Sequence, residues 1–175
     1  MSKLLQIAQL GHPIIRQRAS EIPDQQIPKI QDLVDDMLLT VADANGAGIA
    51  APQVYVSKRV FIVASNPSRR YPNAPDMDPT PIINPEIIWK SSEIHNDWEG
   101  CLSIPGIRGL VPRHKSIRIV YTTRHGDRVE HEYSGFIARV FQHEFDHLEG
   151  LVFLDRLDSS KNIVMEKEWL KLIST

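Results

Sequence analysis

Apolar residues recur at spacings of three and four between Ile27 and about Val41, at Ile30, Leu33, Val34, Met37, Leu38 and Val41. At 3.6 residues per turn they share one face, so the segment reads as an amphipathic helix, ended by Asn45-Gly46. The next eight residues, Gly46 to Gln53, are mostly small and fit neither a helix nor a strand. Arg59 to Ala64 is then an apolar run with the length of a buried strand. Ile82 to Trp89, His95 to Cys101 and Ser116 to Thr123 are further strand candidates, and His125-Gly126-Asp127 is a hairpin turn into Arg128 to Tyr133. A strong helix is predicted from about Gly135 to Glu149, ended by Gly150, and a last one from Ser160 to about Ile173. Between the first strands, Asn66 to Pro81 carries five prolines and reads as a surface loop. Its flanks both look like strands of one sheet system, so the expectation is a single domain over residues 1–175. Strands and helices segregate along the chain, which argues for an α+β fold with mostly antiparallel sheets.

Composition adds little but excludes much. The chain has 175 residues, 42% hydrophobic and 24% charged, as in an ordinary globular protein. A formal net charge of −2 gives no general pull toward nucleic acid, and no direct nucleic-acid binding is expected. There is no long apolar run and the N-terminus does not read as a secretory signal, so a membrane partner is not expected and a cytoplasmic location is. The one cysteine, Cys101, excludes an internal disulfide. A lone cysteine is more often a small buried hydrophobe than a reactive group, and it needs support from its neighbours.

The chemistry is concentrated on the predicted helix after Gly135. Gln142-His143-Glu144-Phe145-Asp146-His147 contains His-Glu-x-x-His, which stacks His143 and His147 on one face where both imidazoles can hold one metal ion. Glu144 points about 100° away around the helix, close enough to handle protons beside that metal. A shuffled chain of this composition would contain the pattern about 0.016 times. Val140, His143, Glu144 and His147 form one stripe, and Ile137, Phe141, Phe145 and Leu148 form an apolar stripe beside it. Arg139, Gln142, Asp146 and Glu149 form a third, expected to face solvent or buried polar partners. Cys101 ends a strand candidate within Glu99-Gly100-Cys101-Leu102-Ser103. Thiolate and two imidazoles suit a borderline-soft divalent ion and leave a coordination position open, which is the pattern of a catalytic site. His95, His114, His125 and His131 lack ligand-like spacing and read as surface or hairpin residues.

Three segments, in order, resemble the motifs of the peptide deformylase family. They are Gly46-Ala47-Gly48-Ile49-Ala50-Ala51-Pro52-Gln53, Glu99-Gly100-Cys101-Leu102-Ser103 and Gln142-His143-Glu144-Phe145-Asp146-His147-Leu148. Gly11-His12-Pro13-Ile14-Ile15-Arg16 also looks like the family's opening segment. The resemblance spans about residues 5 to 157 and implies removal of the formyl group from the N-terminal formyl-methionine of new proteins. It implies Cys101, His143 and His147 as ligands of one divalent metal, typically Fe(II), with zinc, nickel or cobalt able to occupy the site. Glu144 would be the general base and then the acid for the leaving amine. Gln53, through its side-chain amide, and Leu102, through its backbone N–H, would stabilise the oxyanion. Substrates would be N-formyl-methionyl peptides and nascent chains, met near the ribosome exit.

Other positions carry softer expectations. Gly46 and Gly48 would let backbone approach a peptide, and Gly100 would allow a tight turn beside the metal. Val140, with Ile49 second, is the candidate wall of an apolar methionine pocket, although core packing suits either residue. Glu99 and Arg108 could pair behind the site or form a surface salt bridge. The C-terminal helix resembles the Gram-negative bacterial and organellar form of the family. Two other readings remain: a zinc endopeptidase, which shares His-Glu-x-x-His, and a metal-stabilised module that binds N-termini without hydrolysis.

Overall fold

A computed structural model describes residues 2–68 and 70–173 of the chain. In chain order its main elements are α1 (Gln31–Asp43), β1 (Gly48–Ala50), β2 (Val60–Ser65), β3 (Met77–Lys90), β4 (Ile94–Cys101), β5 (Ile104–His114), β6 (Ser116–Thr122), β7 (Arg128–Ser134), α2 (Gly135–Leu148), β8 (Ile163–Met165) and α3 (Glu166–Ile173). The strands form two antiparallel sheets, β1-β2-β3-β6-β7 and β4-β5-β8. The architecture is therefore α+β with antiparallel sheets, as expected.

The larger sheet is covered on both faces. On one side Val34, Met37 and Val41 of α1 pack with Ile49, Val60 and Ile62. On the other, Ile137, Phe141 and Leu148 of α2 pack with Phe61, Val63 and Ile119, and Phe61 meets Phe141 edge-to-face at 5.0 Å between ring centres. Each fully buried side chain of this size contributes roughly 1.5–3 kcal/mol of transfer free energy. This packing fixes the helix that carries the histidines.

α2 is bounded by two glycines at positive φ, Gly135 (φ 58°) and Gly150 (φ 75°). Gly150 lies so close to the Arg16 carbonyl that a Cβ there would sit 2.7 Å from its oxygen. A larger residue at 150 would strain both the helix exit and the N-terminal segment.

Several elements depart from the sequence pattern for local reasons. The first helix begins at Gln31; residues Asp24–Ile30 form a 3₁₀ segment containing Pro28, which has no N–H to give to an α-helical bond. Its end is as expected, with Asn45 left-handed and the Gly46 and Asn45 amides bonded to Val41 and Ala42. Gly46 to Gln53 is more ordered than its composition suggests: it contains β1 and a 3₁₀ turn, Ala51–Val54. The proline-rich loop ends at Asp76, because Pro79 and Pro81 lie within β3 opposite β2. β5 was not expected, since Pro105, Gly106, Gly109 and Pro112 interrupt its apolar positions. The C-terminal segment is a 3₁₀ turn at Ser160–Asn162, then β8, and only then α3.

Candidate active site

β4 and β5 are joined by the two-residue turn Leu102-Ser103, which sets Cys101 opposite Ile104 at the sheet's end and facing α2. There Cys101, His143 and His147 bring one ligand atom each within 4.8 Å of one another, and the Cys101 sulfur is 3.3 Å from His147 Nε2. A tetrahedral ion with zinc-like bond lengths needs ligand atoms roughly 3.3–3.8 Å apart, so the donor set fits a divalent metal. His143 Nδ1 is taken by Glu99 Oε2 at 2.8 Å, which leaves Nε2 for the ion. Such a partner fixes a ligating ring's tautomer and orientation. His95, His114, His125 and His131 take no part in this group; the His114 Nδ1 atom instead lies 2.7 Å from the Ser91 carbonyl oxygen.

Behind the ligands lies a buried charge network. Glu99 accepts from Arg113 (Nε 2.9 Å, Nη2 3.0 Å) and from Arg139 (Nη1 2.8 Å). Asp146, one turn beyond His143, accepts from Arg113 Nη1 at 2.6 Å and from Arg156 at 2.6 and 3.0 Å. Burial alone would raise the Glu99 carboxyl, but Arg113 and His143 outweigh it and hold it well below the ordinary carboxylate range. Arg139, Gln142 and Asp146 of the polar stripe thus face buried partners on β4 and β5, with Gln142 bonded to both backbone groups of His114, while Glu149 pairs with Arg59 at 2.6 Å. The expected pairing of Glu99 with Arg108 does not form. Glu99 stands opposite Gly109, so Arg113 shares its face of the sheet and Arg108 points to the other.

Glu144 follows a ligand in sequence but is not part of the metal group. It is 4% exposed, and its Oε2 and His147 Nδ1 are buried atoms without a partner among the described residues. Burial pushes the Glu144 carboxyl up to about 7. A group in that range can both take and give a proton at neutral pH, while a cation on the adjacent ligands would pull the value down. Gly48 makes room for this carboxyl, since a Cβ at Gly48 would lie 2.5 Å from Glu144 Oε1 and 2.7 Å from its Cδ. Its role in the structure is therefore close approach to Glu144. Gly48→Ala should lower kcat by about 10–100-fold, the penalty for moving a catalytic group by around 1 Å, with metal content unchanged. An unaltered kcat would show that Glu144 tolerates the displacement.

Gln53 is aimed by its own turn. Its Oε1 accepts from the Ala50 amide at 2.8 Å, which turns Nε2 toward Ser103 Oγ (3.1 Å) and the Cys101 sulfur (3.4 Å). The backbones of both partners are tied to the N-terminal segment, the Ala8 amide to Gln53 and the Leu10 amide to Ser103. Ser103 ends a motif but carries no sequence-based expectation; its hydroxyl accepts from the Gln53 amide and holds it in place.

These groups open on a cavity of about 210 Å³, whose lining includes Gly48, Gln53, Gly100, Leu102, Val140 and Glu144. Ile49 does not line it. On a strand the side chain alternates, and Ile49 points from β1 into the α1 core, fully buried. Ala47 and Phe136 line the cavity instead. Gly100 makes no special turn. It lies within β4, where a Cβ would come 2.7 Å from the Arg108 guanidinium carbon, so close packing explains it.

The family model described as polypeptide deformylase matches residues 4–163. The chain belongs to the peptide deformylase family. A peptide deformylase 2 from Nostoc sp. is 53% identical over 98% of this chain and 96% of its own length. One from Shewanella oneidensis is 41% identical over 95% and 92%. Among solved structures, the Met-Ala-Ser-bound class I type b peptide deformylase from Acinetobacter baumannii superposes with a TM-score of 0.88 at 45% identity, covering 90% of this chain and all of that one. The Thermotoga maritima peptide deformylase gives 0.79 at 35% identity, over 90% and 99%. The deformylase is thus a metal-dependent hydrolase acting on N-formyl-methionyl peptides, and the endopeptidase reading falls. No helix among the described residues is long and apolar enough to cross a membrane.

Proposed function

We propose that Cys101, His143 and His147 hold a single divalent ion, Fe(II) in the cell and zinc, nickel or cobalt in some preparations. We propose further that Glu144, Gln53 and Leu102 carry out deformylation around it. The convergence of three ligand atoms, an unpartnered Glu144 oxygen and a pre-aimed Gln53 amide at one cavity carries this reading. When bound, the ion supplies Lewis-acid polarisation and an acidified water.

The chain's own residues do the rest. Glu144 takes a proton from the attacking water and delivers it to the amine nitrogen as the C–N bond breaks, releasing formate and a free N-terminus. One Gln53 N–H is held by Ser103, and the other, directed at the Cys101 sulfur in this structure, would turn to donate, with the Leu102 backbone N–H, to the oxygen that gains charge. β1 and β4 end their sheets as edge strands beside the cavity. An extended peptide can add to such an edge by backbone hydrogen bonds, whatever its sequence. Val140, with Ala47 and Phe136, walls the place for the methionine side chain, and Gly48 and Gly100 line the cleft on the two edge strands, where the peptide's backbone approaches. Residues 1–175 act as one catalytic unit on nascent chains near the ribosome exit, in the cytoplasm.

Formate release from formyl-Met-Ala-Ser tests the reading against its competitors. The expected result is formate and Met-Ala-Ser with casein left intact. Casein cleavage without formate would support a protease, and binding without formate a recognition module. Metal identity gives a second test. A thiolate-ligated Fe(II) site is open to oxidation, so the iron form should lose activity in air faster than the nickel form. Equal lifetimes would count against a labile iron on Cys101.

A further inference from the structure

The chemistry above makes no use of Arg108, yet three distant segments converge on it. Its side chain is 5% exposed; Nη2 lies 2.7 Å from Glu166 and Nη1 donates to the Tyr71 hydroxyl at 2.6 Å. The guanidinium carbon sits 4.6 Å from the centre of the Trp169 ring, and Trp169 is 3% exposed. Glu166 and Trp169 belong to α3, and Tyr71 to the proline-rich segment, whose Arg70 also reaches Glu166 at 3.2 Å. The same guanidinium lies against Gly100, the neighbour of Cys101, on the edge strand β4. Arg70, Tyr71, Arg108 and Glu166 all line the catalytic cavity, and Tyr71 packs on Phe136, one turn before Val140.

A cation held at a protein surface by one flexible partner would sample many positions. Here a carboxylate, a hydroxyl and an indole face hold it in one place. A peptide lying along β4 advances roughly 3.3 Å per residue, so the residues after the methionine pass this wall next. We infer that α3 is a substrate-positioning element: through Glu166 and Trp169 it holds Arg108 and Tyr71 as the wall against which the residues following formyl-methionine bind. The inference rests on the reading that the peptide runs along β4. It assigns α3 an effect on affinity for longer peptides and none on the bond-breaking step, which lies at Glu144.

Kinetics on formyl-Met-Ala and formyl-Met-Ala-Ser, with metal content measured alongside, separate the possibilities. Trp169→Ala should raise KM for the longer peptide about tenfold relative to the shorter one, with kcat and metal content unchanged, as removal of uniform binding requires. Trp169→Phe keeps an aromatic face under the guanidinium and should restore most of the loss. Glu166→Gln, on a partly exposed side chain, should raise the same ratio about threefold and decides the matter alone if Trp169→Ala fails to fold. An equal rise for both peptides, or none for either, would overturn the role of α3. A parent enzyme inactive on both would overturn the site reading and this inference with it.

Discussion

Glu144→Ala should keep its metal and lose about a thousandfold in formate release, within the roughly 10²–10⁴ that a positioned acid–base group contributes. The side chain ligates nothing, so the ion's three donors remain. What disappears is the only carboxyl in the cavity that has a buried oxygen without a partner among the described residues. Glu99, which also lines the cavity, cannot take its place, because it is locked into Arg113, Arg139 and His143. Glu144→Gln, which keeps the shape but cannot accept the proton, should be nearly as impaired. Turnover above a tenth of the parent value in either variant would remove Glu144 from the mechanism.

The second large effect is expected at Glu99. Glu99→Ala leaves Arg113 and Arg139 buried without their shared carboxylate, and breaking a buried pair from one side typically costs about 3–5 kcal/mol. It also frees the His143 ring, and loss of such a partner commonly weakens metal binding about 10–100-fold. Urea unfolding and metal titration read the two effects separately. A variant within about 1 kcal/mol of the parent would mean that the network is carried by Asp146 and backbone acceptors instead. The pH dependence has a defined sign. Because the folded Glu99 value lies below its ordinary 4.5, its stabilising contribution is present above that value. It is lost as the pH falls through the depressed folded value.

The candidate site was legible because each of its parts is local in sequence. His143 and His147 are related by helix geometry alone, Gln53 follows Pro52 in a short turn, and Cys101 sits in a five-residue motif. The supporting residues were not legible, since their partners depend on register. Arg113 and Arg108 are equally plausible companions for Glu99 until β4 is paired with β5, and only the pairing of Glu99 with Gly109 chooses between them. β5 itself was hidden by its prolines and glycines, and the start of β3 by Pro79 and Pro81. Ile49 is the weaker pocket candidate in the sequence, beside plain core packing; strand alternation turns it into the core and presents Gly48 to the cavity, while Ala47, just before β1, also lines it. The glycines show the same limit. In the sequence Gly48 reads as room for a peptide backbone and Gly100 as a tight turn, but each is required by a close neighbour, Glu144 and Arg108 respectively.

The central claim is that one ion on Cys101, His143 and His147 enables deformylation. Metal content and formate release from formyl-Met-Ala-Ser, measured together on anaerobically prepared protein, test it most directly. The account predicts one equivalent of metal per chain, loss of formate release when a chelator removes it, and recovery on adding back a single equivalent of Fe(II). Undiminished formate release from protein shown to contain no metal would contradict it.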